Sequence, residues 1–189
     1  MIETTSLADH FLIAMPALQD PNFFHGVTYI CEHNTNGAMG IVINRSLNIG
    51  LDEIFAEMDI RSDDERIKHH PVYLGGPVQN ERGFIIHQPP GSWDNLLPVS
   101  ESIGVTSSRD LLQAIANGEG PSRILVALGY AGWGPGQLEQ EMAANAWLSV
   151  SARGAEHIIF DLPDNERWQA AAALTGVDMS RLSSDVGHA

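Results

Sequence analysis

The sequence predicts an α+β fold: a single domain with a mixed, largely antiparallel sheet flanked by helices. Strand-like runs come in pairs around turn residues, helical periodicities stand singly between those pairs, and strict strand–helix alternation is absent. At 189 residues and 20.5 kDa, with 43% hydrophobic and 18% charged residues, the chain is long enough to bury about 70% of its unfolded surface. No internal repeat or Pro/Ser-rich linker divides it, so one domain spanning residues 1–189 is expected.

Residues 11–15 form an apolar run stopped by Pro16, which reads as a buried strand leading into a turn at Gln19-Asp20-Pro21. Val27, Tyr29, Cys31 and His33 then alternate with Thr28, Ile30 and Glu32. Asn34-Thr35-Asn36-Gly37 supplies turn chemistry and residues 39–43 resume the apolar run, which is a β-hairpin signal. Leu51, Ile54, Phe55 and Met58 fall on one helical face, with Asp52 and Glu53 near the positive end of the dipole. Ser62-Asp63-Asp64-Glu65 reads as a charged surface loop.

Residues 72–74 and 84–87 read as a strand pair joined through Gly75-Gly76-Pro77. Ser107 and Asp110 have capping-box spacing ahead of Leu111, Leu112 and Ile115, and Asn117-Gly118 closes that helix. Residues 123–130 form a buried strand, and Gly132-Trp133-Gly134-Pro135-Gly136 turns it into a helix over about residues 137–145. Residues 147–150 and 158–160 read as strands, Asp164 as the cap of a last helix, and the tail over 176–189 as loosely ordered.

Ten basic against twenty-four acidic residues give a formal charge of -14 and a pI near 4.7. The cations are scattered singly, so direct nucleic-acid binding is not expected. No apolar run reaches the roughly 18 residues of a membrane helix, and the start of the chain carries Glu3 and no Lys or Arg before its short apolar stretch, unlike a secretory signal. The lone Cys31 fits a reducing compartment, and a cytoplasmic location without membrane contact is expected.

Candidate functional residues fall in three polar, glycine-rich segments, residues 31–45, 73–83 and 129–147. On a regular strand Cys31 and His33 share a face, roughly 7 Å apart along the backbone. An imidazolium there would favour the thiolate that a nucleophile or redox sensor needs; the alternative is a small buried hydrophobe. The same pair with His69, His70 or His87 would be a weak metal set, lacking paired Cys-x-x-Cys or His-Glu-x-x-His spacing, so no metal site is assigned.

Gly132, Trp133, Gly134, Gly136 and Gln137 lie at a helix start, where backbone amides can hold a carboxylate or phosphate; the alternative is a tight turn that lets Trp133 pack. Asn44, Arg45 and Arg82 would add hydrogen bonds and positive charge if the fold brought them to that turn. No cofactor motif is present: the glycines match neither a Walker A loop nor the dinucleotide fingerprint. The expected ligand is a small anion or a protein partner.

Three stretches carry a resemblance: His33-Asn34 through Gly37-Ala38-Met39-Gly40 to Asn44-Arg45; Tyr73-Leu74-Gly75-Gly76-Pro77-Val78; and Gly129-Tyr130-Ala131-Gly132-Trp133 through Gly136-Gln137-Leu138-Glu139. With Phe11-Leu12-Ile13-Ala14 and Asp20-Pro21, the chain resembles the bacterial AlgH/YqgE family over about residues 11–160. The resemblance implies a small cytosolic α+β protein, a suggested role in regulating transcription of alginate genes, and no established enzyme activity. The net charge of -14, with no basic recognition helix, favours regulation through a protein or metabolite over contact with DNA.

Overall fold

A computed structural model describes residues 6–15 and 25–177; the turn expected at Gln19-Asp20-Pro21 and the tail beyond 177 lie outside the described residues. The chain begins with β1 (His10–Ala14), the hairpin β2 (Val27–Asn34) and β3 (Gly37–Val42), and β4 (Ser46–Gly50). Helices α1 (Leu51–Glu57) and α2 (Glu65–Lys68) lead to β5 (Pro71–Leu74), β6 (Val78–Gln88), β7 (Leu96–Pro98) and β8 (Gly104–Thr106). Then come α3 (Arg109–Ala116), β9 (Arg123–Trp133), α4 (Gln137–Ala143), β10 (Trp147–Ser151), α5 (His157–Phe160) and α6 (Asp164–Leu174).

The strands form one sheet in the order β10-β1-β2-β3-β9-β6-β8-β7, with β5 also beside β9 and β4 beside β5. Only the β5–β9 pair is parallel among the described strands. The α+β fold with a mixed, largely antiparallel sheet is therefore the one observed.

Burial follows strand alternation. Phe11, Ile13, Tyr29, Ile86, Leu125 and Ala127 face a core closed by Ile158 and Ile159 of α5 and by Ala171 and Ala172 of α6. On the opposite face, Val72, Ile85 and Val126 pack under α1 and α3. Leu12, Ile30 and Ala131 pack under Leu138 of α4. The sheet thus carries α5 and α6 on one side and two separate helical layers on the other.

Several local expectations are corrected. Strands β5 and β6 do not pair with each other, because β9 lies between them, parallel to β5 and antiparallel to β6. Residues 158–160 are helical: their branched side chains pack into the core from one turn of helix. The Ser107–Asp110 capping box does not form, because Ser107 Oγ accepts from Arg82 and the Asp110 carboxylate accepts the Leu111 and Asp94 amides. Asp164 is the first residue of α6 rather than its cap, and Asp64, read as part of a loop, caps α2 by accepting from the Arg66 and Ile67 amides.

Two buried polar groups tie neighbouring elements together. His87 donates from Nδ1 to the Pro89 carbonyl at 3.0 Å and accepts at Nε2 from the Thr106 hydroxyl at 2.7 Å, joining β6 to β8; burial pulls its pKa down, which favours this neutral form. Arg167 of α6 donates to the Leu162 and Ile43 carbonyls and lies 4.9 Å from the Tyr73 ring centroid.

The second glycine segment has a steric origin. A Cβ on Gly76 would lie 2.1 Å from the Tyr130 carbonyl carbon, and one on Gly75 would lie 2.4 Å from the Gly129 oxygen. The chain entering β6 therefore runs against the backbone of β9 at a distance only glycine permits. Gly76→Ala is expected to destabilise the fold by about 3 kcal/mol, the upper end of overpacking costs. Gly118→Ala, in a left-handed turn with open space around the new Cβ, should cost about 1 kcal/mol. Urea denaturation of both variants measures the difference.

Candidate functional site

The site is built on the ends of four strands. Strand β3 pairs with β9 in the register Ala38 to Trp133, Met39 to Gly132 and Gly40 to Ala131, while Glu32 of β2 pairs with Met39 and Val78 of β6 with Tyr130. Residues from all three predicted segments are thereby brought to one corner of the sheet.

On one face of this corner α4 is clamped down. Leu138 and Met142 supply the apolar contact. Glu141 accepts from two indoles through Oε1, Trp133 at 3.1 Å and Trp147 at 3.0 Å, and from the Gln137 amide through Oε2 at 2.8 Å. Gln137 and Glu141 meet because residues four apart share a helical face. The Gln137 oxygen in turn accepts from the Gly134 amide at 2.9 Å, and the Gln137 amide donates to the Gly134 carbonyl. Gly134 and Gln137 thus satisfy each other, and Gly136, at φ 74°, makes the left-handed entry to α4.

His33 faces the same helix. Its Nδ1 accepts from the Leu7 amide at 2.9 Å, which leaves the proton on Nε2, and Nε2 meets Glu139. Cys31 points the other way. The β2–β3 register slips between Ile30 and Glu32, a bulge in which Cys31 is the extra residue. A one-residue bulge inverts the alternation beyond it. Cys31 therefore lies with Tyr29 in the core under α5 and α6, 2% exposed, while His33 lies on the α4 side.

The expected common face of Cys31 and His33 is absent for that reason. The thiol hydrogen bonds to the Tyr29 carbonyl at 3.6 Å; burial pushes its pKa up, and Glu32 adds to the shift. Both effects oppose the thiolate.

Asn44 and Arg45 do not reach the glycine turn either. They follow the far end of β3, whose six residues span about 20 Å at strand rise. Asn44 is occupied in accepting from the Val27 amide at 2.9 Å and donating to the His25 carbonyl at 3.0 Å. The Arg45 carbonyl accepts from the Leu74 amide. Among the described residues no group of three His, Cys, Asp or Glu side chains is placed to hold a metal ion.

The face opposite α4 carries an open groove of about 540 Å³. Met39, Tyr130 and Val78 give it apolar walls, Glu32, Asn34 and Asn36 a polar rim, and no Lys or Arg lines it. Gly132 is its floor: a Cβ there would meet Tyr130 at 3.4 Å and Val78 at 3.9 Å, so the missing side chain keeps the groove open. Of the predicted ligand residues, Gly132 and Trp133 line this groove. Glu139 stands in the third family-like stretch without an assigned role, and Glu141 escapes a sequence reading, although both are acceptors of the α4 clamp. Only the i, i+4 spacing of Gln137 and Glu141 hints at the clamp.

Comparison with known proteins now places the chain. The AlgH-like family model matches residues 11–180. The chain belongs to the AlgH-like family. A UPF0301 protein of Thioalkalivibrio sulfidiphilus is 57% identical over 189 residues, covering all of both chains, and one of Nitrosococcus oceani is 56% identical over 181 residues, covering 96% of each. The solution structure of the AlgH protein from Pseudomonas aeruginosa is similar with a TM-score of 0.79 at 46% identity, covering 97% of each chain. A Corynebacterium diphtheriae protein shares the fold at 18% identity and a TM-score of 0.72 over 97% of this AlgH-like chain and 94% of its own. None of the described helices is long and apolar enough to cross a membrane.

The geometry of Cys31 has a direct chemical consequence. At pH about 8.5 an ordinary exposed thiol is roughly half ionised, yet iodoacetamide is expected to modify the native AlgH-like chain only as fast as it unfolds. Urea-unfolded chain should react at once. A native rate near that of a free thiol, followed by mass spectrometry, would establish an accessible and activated Cys31.

Proposed function

We propose that this AlgH-like chain is a binding module that engages a protein partner through the groove between the β2–β3 hairpin, the start of β6 and the end of β9. The observation that carries this reading is the convergence of the three glycine-rich segments on one open surface with apolar walls and a polar, cation-free rim. Met39, Tyr130 and the exposed Val78 offer the aromatic and aliphatic contact that protein interfaces favour, ringed by Asn34 and Asn36.

A small anion suits this groove poorly. It has Glu32 and no Lys or Arg, in a chain of charge -14, and the Gly134 and Gln137 amides are already hydrogen bonded. A transcriptional effect of the kind the family resemblance implies would on this reading run through the partner, since the same charge opposes contact with DNA. The thiol-dependent alternative lacks a neighbouring base for Cys31.

The test is site-specific photo-crosslinking in a bacterial host whose own AlgH-like gene is replaced by this chain. A benzoylphenylalanine at Val78 or Asn36 is expected to yield a discrete crosslinked species that the same probe at Glu119, exposed elsewhere, does not. Equal crosslinking from all three positions, or none from Val78 and Asn36, would overturn the proposal.

A further inference from the structure

A second cavity, of about 680 Å³, opens on the opposite side of the sheet from α5 and α6, between α1, α3 and strands β6 and β9. Its walls are apolar: Ile54 and Met58 from α1 and the residue after it, Leu112 from α3, and Ile85, Val126 and Leu128 from the sheet. The size and the apolar walls are those of small-molecule sites. The opening exists because Gly83 stands in β6 opposite Leu128 and no atom lies within 4 Å of where its Cβ would be.

The rim carries two of the ten cations of the chain. Arg82 is held by the Ser107 hydroxyl at 2.8 Å and the Gln79 side chain at 3.5 Å, with its guanidinium 5.4 Å from the Phe84 ring centroid. Arg109 donates to the Met58 carbonyl at 2.5 Å. Neither has a carboxylate within 4 Å among the described residues, whereas Lys68 and Arg123 do. Both guanidiniums are positioned by neutral oxygens, with donors left over for an incoming acceptor.

Glu57 and Glu81 also stand on the rim. Both side chains are exposed and have no hydrogen bond or ion pair among the described residues, so they are free to turn toward water. At the amino terminus of α3 the Leu111 amide is already taken by the Asp110 carboxylate. The positioned charge at the mouth is therefore positive, above an apolar floor.

We infer that this cavity is a binding site for a small amphipathic anion, with its apolar body on Ile85, Val126 and Leu112 and its carboxylate or phosphate head between Arg82 and Arg109. The site is independent of the groove, although β6 borders both: Val78 lines the groove, and the cavity takes Arg82, Gly83 and Ile85.

Isothermal titration of the full chain with decanoate, decyl phosphate, decanol and decyltrimethylammonium tests it. One or both anions are expected to bind with one site per chain, at least about tenfold tighter than the alcohol or the cation, and the pair of anions decides which head fits. The Arg82→Gln/Arg109→Gln double variant should lose that tenfold preference. Gly83→Leu should abolish binding by filling the cavity, with no loss of melting temperature. Absence of anion binding, equal binding of decanol, or undiminished binding in a folded Gly83→Leu chain would overturn the inference. Should Gly83→Leu not fold, the head-group comparison and the surface double variant decide alone.

Discussion

Strand β9 is bonded along both edges, and the rest of the molecule is arranged by what it bonds to. Antiparallel β6 takes one edge, while parallel β5 and then antiparallel β3 share the other. The chain can leave β5 on one side and enter β6 on the other only by passing close to the β9 backbone. Gly75, Gly76 and Gly129 remove the side chains that would block that passage. The two outer-face cores flank the same strand, one over Val126 and the other over Ala131. Both the cavity and the groove are consequences of how β9 is shared.

This arrangement explains why the three glycine-rich segments belong together although 83 positions separate the end of the first, at 45, from the start of the last, at 129. Each contributes a backbone that approaches another closely. Gly37 shows it as clearly as Gly76, since a Cβ there would lie 2.2 Å from the Trp133 oxygen. Gly132 differs, because its missing side chain leaves space open to solvent. The glycines thus divide by geometry: most let strands meet, and Gly132 shapes the groove.

Much of the fold was legible because local chemistry and tertiary structure agree. The hairpin at Asn34-Thr35-Asn36-Gly37, the helical face of Leu51, Ile54 and Phe55, and the strand ahead of Trp133 all occur as expected. The errors have physical causes. Ile158 and Ile159 are apolar and branched, but so short a run cannot tell a strand from a buried helical turn. The pairing of β5 with β6 looked local, and only the distant β9 forbids it. The bulge at Cys31 carries no glycine or proline marker; it is set by pairing with Met39 and Gly40, and it alone separates the thiol from His33. The expectation for Asn44 is a ligand hydrogen bond beside the glycine turn, whereas its side chain serves the backbone of residues 25 and 27. The cavity behind Gly83 was illegible because its walls come from α1, α3, β6 and β9 together.

The proposed working surface of this AlgH-like protein is the groove floored by Gly132, and not the thiol of Cys31. The most direct measurement is the yield of the species crosslinked through a probe at Val78 in two further variants, Gly132→Trp and Cys31→Ala. Gly132→Trp, which fills the groove without strain on the backbone, is expected to abolish the species, and Cys31→Ala in its folded form to preserve it. Loss of the species in a folded Cys31→Ala chain together with its retention in Gly132→Trp would place the working surface at the thiol instead of the groove.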